Sequence, residues 1–269
     1  HRLSTKKNRA VNYFFNHCIM SINPKSILIF GCFDTKSEVF TYLRQAILEK
    51  GETVITINTG IQPFSHTFPI DFDADVVALA GGSDIEIIRK NKDRGQAIDV
   101  MGKGAAQIAA QLINQGRVKS AIGMGGGGGT YIALAAMQSI PLGIPKVCLS
   151  TVASKDLSRQ IGDKDIMLIP SVVDVAGLNG IIQILIEQAA AAICSMANVQ
   201  PPQNSDSKGS IAISMFGNTT ACVDRCTALL KDLNYEVLAF HATGVGGKTM
   251  ESLIREGYFK AVLDVTTTE

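Results

Sequence analysis

Five consecutive glycines, Gly125 to Gly129, sit between two apolar runs in the segment GMGGGGGT. Glycine loses more backbone entropy on folding than any other residue, roughly 0.5–1 kcal/mol relative to alanine in a regular element. An uninterrupted run is therefore expected to have a specific use. Without Cβ atoms, successive backbone N–H groups can turn toward one point, and a helix beginning there adds positive potential. The pattern predicts a strand over 120–123, a glycine loop and a helix over 131–139. That order belongs to parallel α/β folds.

The rest of the chain repeats the grammar. Residues 26–30 form a short apolar strand ending at Gly31. Val39, Phe40, Leu43 and Ile47 follow at helical spacing, Gly51 stops the helix, and 53–58 reads as a second strand. A β-α-β unit of this kind pairs its strands in parallel with a right-handed crossover. Residues 61–83 read as either strand or helix, and the span to Gly116 as mostly helix. Further strands are expected near 146–149 and 165–169, and a long Ala/Ile-rich helix over 177–196. The segment NVQPPQNSDSKG has the composition of a linker. After it the grammar restarts with strands at 210–215, 235–240 and 260–265 and helices at 220–232 and 249–257. The reading is two Rossmann-like α/β domains with parallel sheets: 20–200, a linker at 201–208, and an incomplete second domain at 209–269. Residues 1–19, basic and without an acidic residue, are read as upstream sequence before a natural start at Met20, with a transit peptide as the alternative.

Composition narrows the function. The formal net charge is +1 and Trp is absent, which argues against a nucleic-acid or membrane-surface partner. No run is expected to cross a bilayer. The six cysteines show no zinc spacing, so no metal site is expected, and they suit a reducing, cytoplasmic compartment.

In an open parallel sheet, ligands bind beyond the carboxyl ends of the strands. Gly125, Gly126, Gly127, Gly128, Gly129 and Thr130 fall there, and a flexible surface turn is the competing reading. Gly123, Gly125 and Gly128 satisfy G-x-G-x-x-G, but a glycine run does so trivially. The acid that a dinucleotide site needs about 20 residues later is missing, since position 150 is Ser. Asp34, Thr35 and Lys36 follow the first strand. Thr35 and Glu38 have capping-box spacing, and Lys36 in a first helical turn opposes the helix dipole unless it faces an anion. Ser150, Thr151 and Ser154 offer hydroxyls after a later strand, where an ordinary polar loop is the competing reading.

The second domain has its own candidates. Gly217, Asn218 and Thr219 end one strand. His241, Thr243, Gly244, Gly246, Gly247 and Lys248, with Thr249, approach the P-loop pattern, but Ala242 replaces its first glycine. Asp264 is placed where a metal-holding acid would stand. His241 and Asp264 are available as acid–base groups, although no nucleophilic triad is recognisable.

The segments FGCFDTKSE, AIGMGGGGGT, PKVCLSTVAS, SVVDVAGLN, FHATGVGGK and LDVTTTE occur in that order. Together they resemble the family typified by the N-terminal ATP-binding domain of the tomato mosaic virus resistance protein, which includes many bacterial proteins of an uncharacterised family. The resemblance runs from about Pro24 to Glu269. It implies two Rossmann-like domains, a bound ATP, with or without Mg, and members longer than this chain. Lys248 and Thr249 stand where relatives more often carry Arg-Ala, which weakens the P-loop reading. The viral-helicase contact belongs to particular plant members and is not carried over, since nothing in this sequence identifies a surface for it. The expectation is a nucleotide-binding protein, an ATP binder as the resemblance implies, with phosphates in the glycine loop and the second domain closing the cleft. Two alternatives stay open: an enzyme acting on a phosphorylated or carboxylated metabolite, and an interaction module with a structural nucleotide. A homo-oligomer is compatible with the apolar composition, and the protein partner is unknown.

Overall fold

A computed structural model describes residues 24–63, 65, 67–200 and 207–266. The expected upstream segment, 1–19, lies outside them, as does most of the expected linker.

Strands β1 (Ser26–Gly31), β2 (Val54–Asn58), β3 (Val118–Gly125), β4 (Lys146–Ser150) and β5 (Ile166–Pro170) form one parallel sheet in the order β2-β1-β3-β4-β5. All six residues of β1 are buried. Its apolar run reflects coverage on both faces, the usual condition of a parallel sheet. Helices α1 (Phe33–Leu48), α2 (Ala74–Ala80), α3 (Ile85–Asn91), α4 (Arg94–Asn114), α5 (Gly127–Met137), α6 (Ser158–Ile161) and α7 (Gly180–Ala197) provide that coverage.

Side chains alternate between two cores. Ile27, Ile29, Ile122 and Leu149 pack with Phe40 and Leu43 of α1 and Ile186 and Ile193 of α7. Leu28, Phe30 and Ala121 face the other way, onto Val77, Met101, Ile108 and Leu134 of α2, α4 and α5. Each fully buried Val, Leu, Ile, Phe or Met among them contributes about 1.5–3 kcal/mol. The ambiguous stretch before residue 83 contains α2, which Asp73 caps by accepting from the Ala74 N–H at 2.7 Å.

Helix α7 corrects an expectation. Its 18 residues have a mean hydropathy of 1.6, sufficient by length and composition to cross a membrane. One face, including Ile182, Ile186, Ala189, Ala190 and Ile193, is buried against the sheet side of the molecule.

A second parallel sheet holds β6 (Ser210–Met215), β7 (Glu236–His241) and β8 (Ala261–Leu263) in the order β7-β6-β8. Helices α8 (Thr220–Asp232) and α9 (Val245–Arg255) connect them. The spatial order of its three strands repeats that of β2-β1-β3. Its core is small, centred on Ile211, Ile213 and Val223.

The described polar contacts between the halves lie at the amino ends of β4 and β5. Lys164 pairs with Glu256 and donates to Ser252 Oγ at 3.4 Å, and the Leu142 N–H donates to Glu256 Oε2 at 3.0 Å. Ser252 lies near the C-terminal end of α9, and Glu256 just follows it. These contacts are at the opposite end of the strands from the glycine run. Among the described residues, no hydrogen bond joins Gly125–Thr151 to residues 217–248.

Candidate functional site

The first sheet reverses direction between β1 and β3. From β1 the chain goes to β2 on one side, then returns to build β3, β4 and β5 on the other. The carboxyl ends of β1 and β3 therefore flank a topological switch point, where open α/β sheets bind ligands.

The glycine run occupies this position, but not as a loop. Gly125 ends β3, Gly126 is the N-cap of α5, and Gly127, Gly128 and Gly129 form its first turn. The expected helix start at Tyr131 is thus four residues late. The Thr130 N–H donates to Gly126 O at 2.8 Å, closing that turn. No side chain caps the helix. The N–H groups of a first turn lack partners within their own helix. A Cβ at Gly127 would meet nothing within 4 Å, so this end of the helix faces open space. A Cβ at Gly125 would come within 3.1 Å of Gly129 Cα, so the backbone folds closely on itself there.

Arg94, the first residue of α4, stands beside the turn. Its Nη2 would lie 3.5 Å from a Cβ on Gly128. Nothing local in the sequence distinguishes Arg94 from Arg89, Lys90 or Lys92. Its position depends on α4 and α5 packing together.

Thr130 and Ser150 are both buried, and their hydroxyls lie 2.7 Å apart. Thr130 Oγ1 also donates to Gly125 O at 3.3 Å, and Ser150 Oγ accepts from the Val152 N–H at 3.0 Å. The pair pins α5 to the end of β4 rather than facing solvent. Thr151 is half-buried, Ser154 is exposed, and a Cβ at Gly126 would approach Thr151 Oγ1 to 3.8 Å.

After β1, Asp34 acts as a strap. Oδ1 accepts from the Thr35 N–H and Oδ2 from the Gln62 N–H, each at 2.7 Å. Any Cβ at Gly60 would collide with this carboxylate. The expected capping box is absent, since α1 begins two residues before Thr35. Asn58 instead receives the Phe33 N–H at 3.2 Å and the Gly60 N–H at 3.0 Å. Sequence reading does not single out Asn58, which looks like an ordinary strand end. Lys36 has non-helical backbone angles within α1, and its ammonium donates to the Val175 carbonyl. That bond directs Lys36 toward the segment after β5. Thr35 is exposed. Cys32, the N-cap of α1, lies near Gly129; burial pushes its thiol up, leaving it protonated at neutral pH.

In the second sheet, Gly217, Asn218 and Thr219 form a 3-10 turn after β6, and Thr219 Oγ1 lies 2.7 Å from Thr266 Oγ1. His241 ends β7, and α9 already starts at Val245. Gly246, Gly247 and Lys248 are helical, so only Ala242, Thr243 and Gly244 connect strand to helix. A Cβ at Gly246 would collide with His241 O. The P-loop pattern, which Ala242 already breaks, is thus split between a three-residue connection and the first turn of α9. Asp264 accepts from Ser214 Oγ at 2.6 Å, holding the end of β8 to β6. Among the described residues, no group of three or more His, Cys, Asp or Glu could hold a metal ion.

The sequence matches the model of the Uncharacterised protein family (UPF0261) N-terminal domain over residues 25–202 and that of its C-terminal domain over 208–269. The chain belongs to the UPF0261 family. A UPF0261 protein from Clostridium tetani is 44% identical over 245 residues, covering 91% of this chain and 60% of the relative. The tomato ToMV susceptible protein tm-1(GCR26) is 34% identical over 266 residues, covering 92% of this chain and 35% of that protein. This chain thus spans about 60% of the length of its bacterial UPF0261 relatives. Among solved structures, UDP-GlcNAc 2-epimerase from Neisseria meningitidis bound to UDP-GlcNAc aligns over 90% of this chain and 72% of that one, at 11% identity and a TM-score of 0.34.

Proposed function

We propose that this UPF0261 chain binds a nucleotide, with ATP the best candidate, and that its phosphates sit on the first turn of α5. The observation carrying the reading is the uncapped, all-glycine helix start at the β1/β3 switch point. Anions are favoured at such a terminus by the free N–H groups and the helix dipole. The residues fit a polyphosphate: backbone N–H groups of Gly127, Gly128 and Gly129 would hold it, and the Arg94 guanidinium would supply the cation. Thr130 and Ser150 would keep the turn in place from behind. The resemblance to a family of ATP-binding domains supports the choice of nucleotide.

Gly127→Val tests this directly. The new side chain would enter open space, so the fold should persist while the methyls block the helix end. ATP affinity should fall at least about tenfold, equivalent to 1.4 kcal/mol. Unchanged affinity in a folded variant would overturn the assignment.

A further inference from the structure

Beside the glycine turn, the carboxyl ends of β4 and β5 enclose a cleft of about 430 Å³. Thr151 and Ser154 form part of one wall; Ser171, Val172 and Asp174 form part of the other. This lining differs in kind from the helix end. Ser171 Oγ is committed, donating to Val173 O at 2.6 Å. The hydroxyls of Thr151 and Ser154 and the Asp174 carboxylate have no side-chain hydrogen-bond partner among the described residues. Neither Lys nor Arg lines the cleft, and Asp174 is its one ionisable lining group. Asp174 forms no ion pair among the described residues, Lys36 being held on the neighbouring Val175 carbonyl, and an ionised carboxylate accepts strongly from hydroxyl hydrogens.

Val172 stands at the mouth, 78% exposed, with φ 61°. A β-branched residue in the left-handed region is strained, and such strain clusters at ligand clamps. It places an apolar side chain next to free hydroxyls and one carboxylate. That combination is suited to a ring with C–H bonds on its faces and hydroxyls around its edge.

We propose that this cleft binds a neutral polyhydroxylated group: Asp174, Thr151 and Ser154 take its hydroxyls, and Val172 contacts its C–H face. Where the group belongs to a phosphorylated ligand, the proposal rests on the nucleotide reading above, because Thr151 adjoins Gly126 at the glycine turn. The same chemistry is offered by the ribose of a nucleotide and by a free sugar or polyol.

The test uses Asp174→Asn, which keeps the shape, and Ala153→Phe, which fills the cleft from a position in its wall. Thermal unfolding checks that both variants fold. Calorimetric titrations then compare ATP, inorganic tripolyphosphate and a panel of free sugars and polyols. If the ribose is the source, both variants weaken ATP about tenfold or more, the scale of a lost hydrogen bond to a charged group, and leave tripolyphosphate unchanged. If a separate carbohydrate is the source, a panel member binds the parent chain and is lost in both variants while ATP is unaffected. Unaltered ATP affinity together with no binding from the panel overturns the proposal. Tripolyphosphate failing to bind the parent chain would count against the glycine-turn reading alone, and the cleft would then be judged on the carbohydrates.

Discussion

The hydroxyls of Thr130 and Ser150, 2.7 Å apart and shielded from solvent, satisfy each other where α5 meets β4. Buried polar groups need such partners, because an unmade hydrogen bond costs about 1–3 kcal/mol. Both residues stand at strand or helix ends, so from sequence they are indistinguishable from ligand contacts. Asp34 poses the same problem: its carboxylate is used up on backbone N–H groups. Arg94 is the converse, a generic surface cation by sequence that packing brings to the glycine turn. Val172 left no local signal, since nothing in SVVDVAGLN marks one valine as left-handed. Its strain makes a prediction. Val172→Gly removes a conformational penalty of about 1–2 kcal/mol, partly offset by glycine's larger entropy loss. Urea unfolding should show a midpoint raised modestly at constant slope. A lowered midpoint would mean that the valine's contacts outweigh its strain.

At the scale of elements, α5 illustrates what periodicity reveals and what it misses. The alternation of apolar strands and amphipathic helices was readable because strands buried on both faces, such as β1, are continuously apolar. The start of α5 was not readable, since glycine disfavours helix by about 1 kcal/mol per residue. Close packing outweighs that preference. Gly125 approaches Gly129, and Gly123 of β3 lies under Ala133 of α5, where a Cβ would come within 2.6 Å of the Ala133 Cβ. Gly123→Ala should therefore push α5 off β3 and cost about 1–3 kcal/mol, as overpacking does. Chemical denaturation measures the loss. A neutral effect would show that α5 is seated loosely and that the glycine turn is not held by this contact.

Across the whole molecule, the two α/β units share a strand order and meet through polar contacts at the amino ends of β4 and β5. Two hydroxyl- and glycine-rich strand-end sets were legible, and so was the restart of the β-α-β grammar after residue 208. How the units meet was not. It depends on Lys164, Glu256, Ser252 and the Leu142 N–H, all ordinary polar groups in the sequence. The Coulombic gain of a partly buried ion pair of this kind is largely offset by desolvation, so it adds little net stability. The central proposal rests on the first unit: the α5 N-terminus as a polyphosphate site. The most direct test is thermal unfolding of protein shown by absorbance to be nucleotide-free, with Mg-ATP, tripolyphosphate or adenosine added. A ligand at a hundred times its Kd adds about 2.7 kcal/mol of apparent stability, which moves the midpoint by several degrees for a protein of this size. The account predicts that shift with ATP and with tripolyphosphate, and none with adenosine. An equal shift with adenosine, or none with either phosphate, would contradict it.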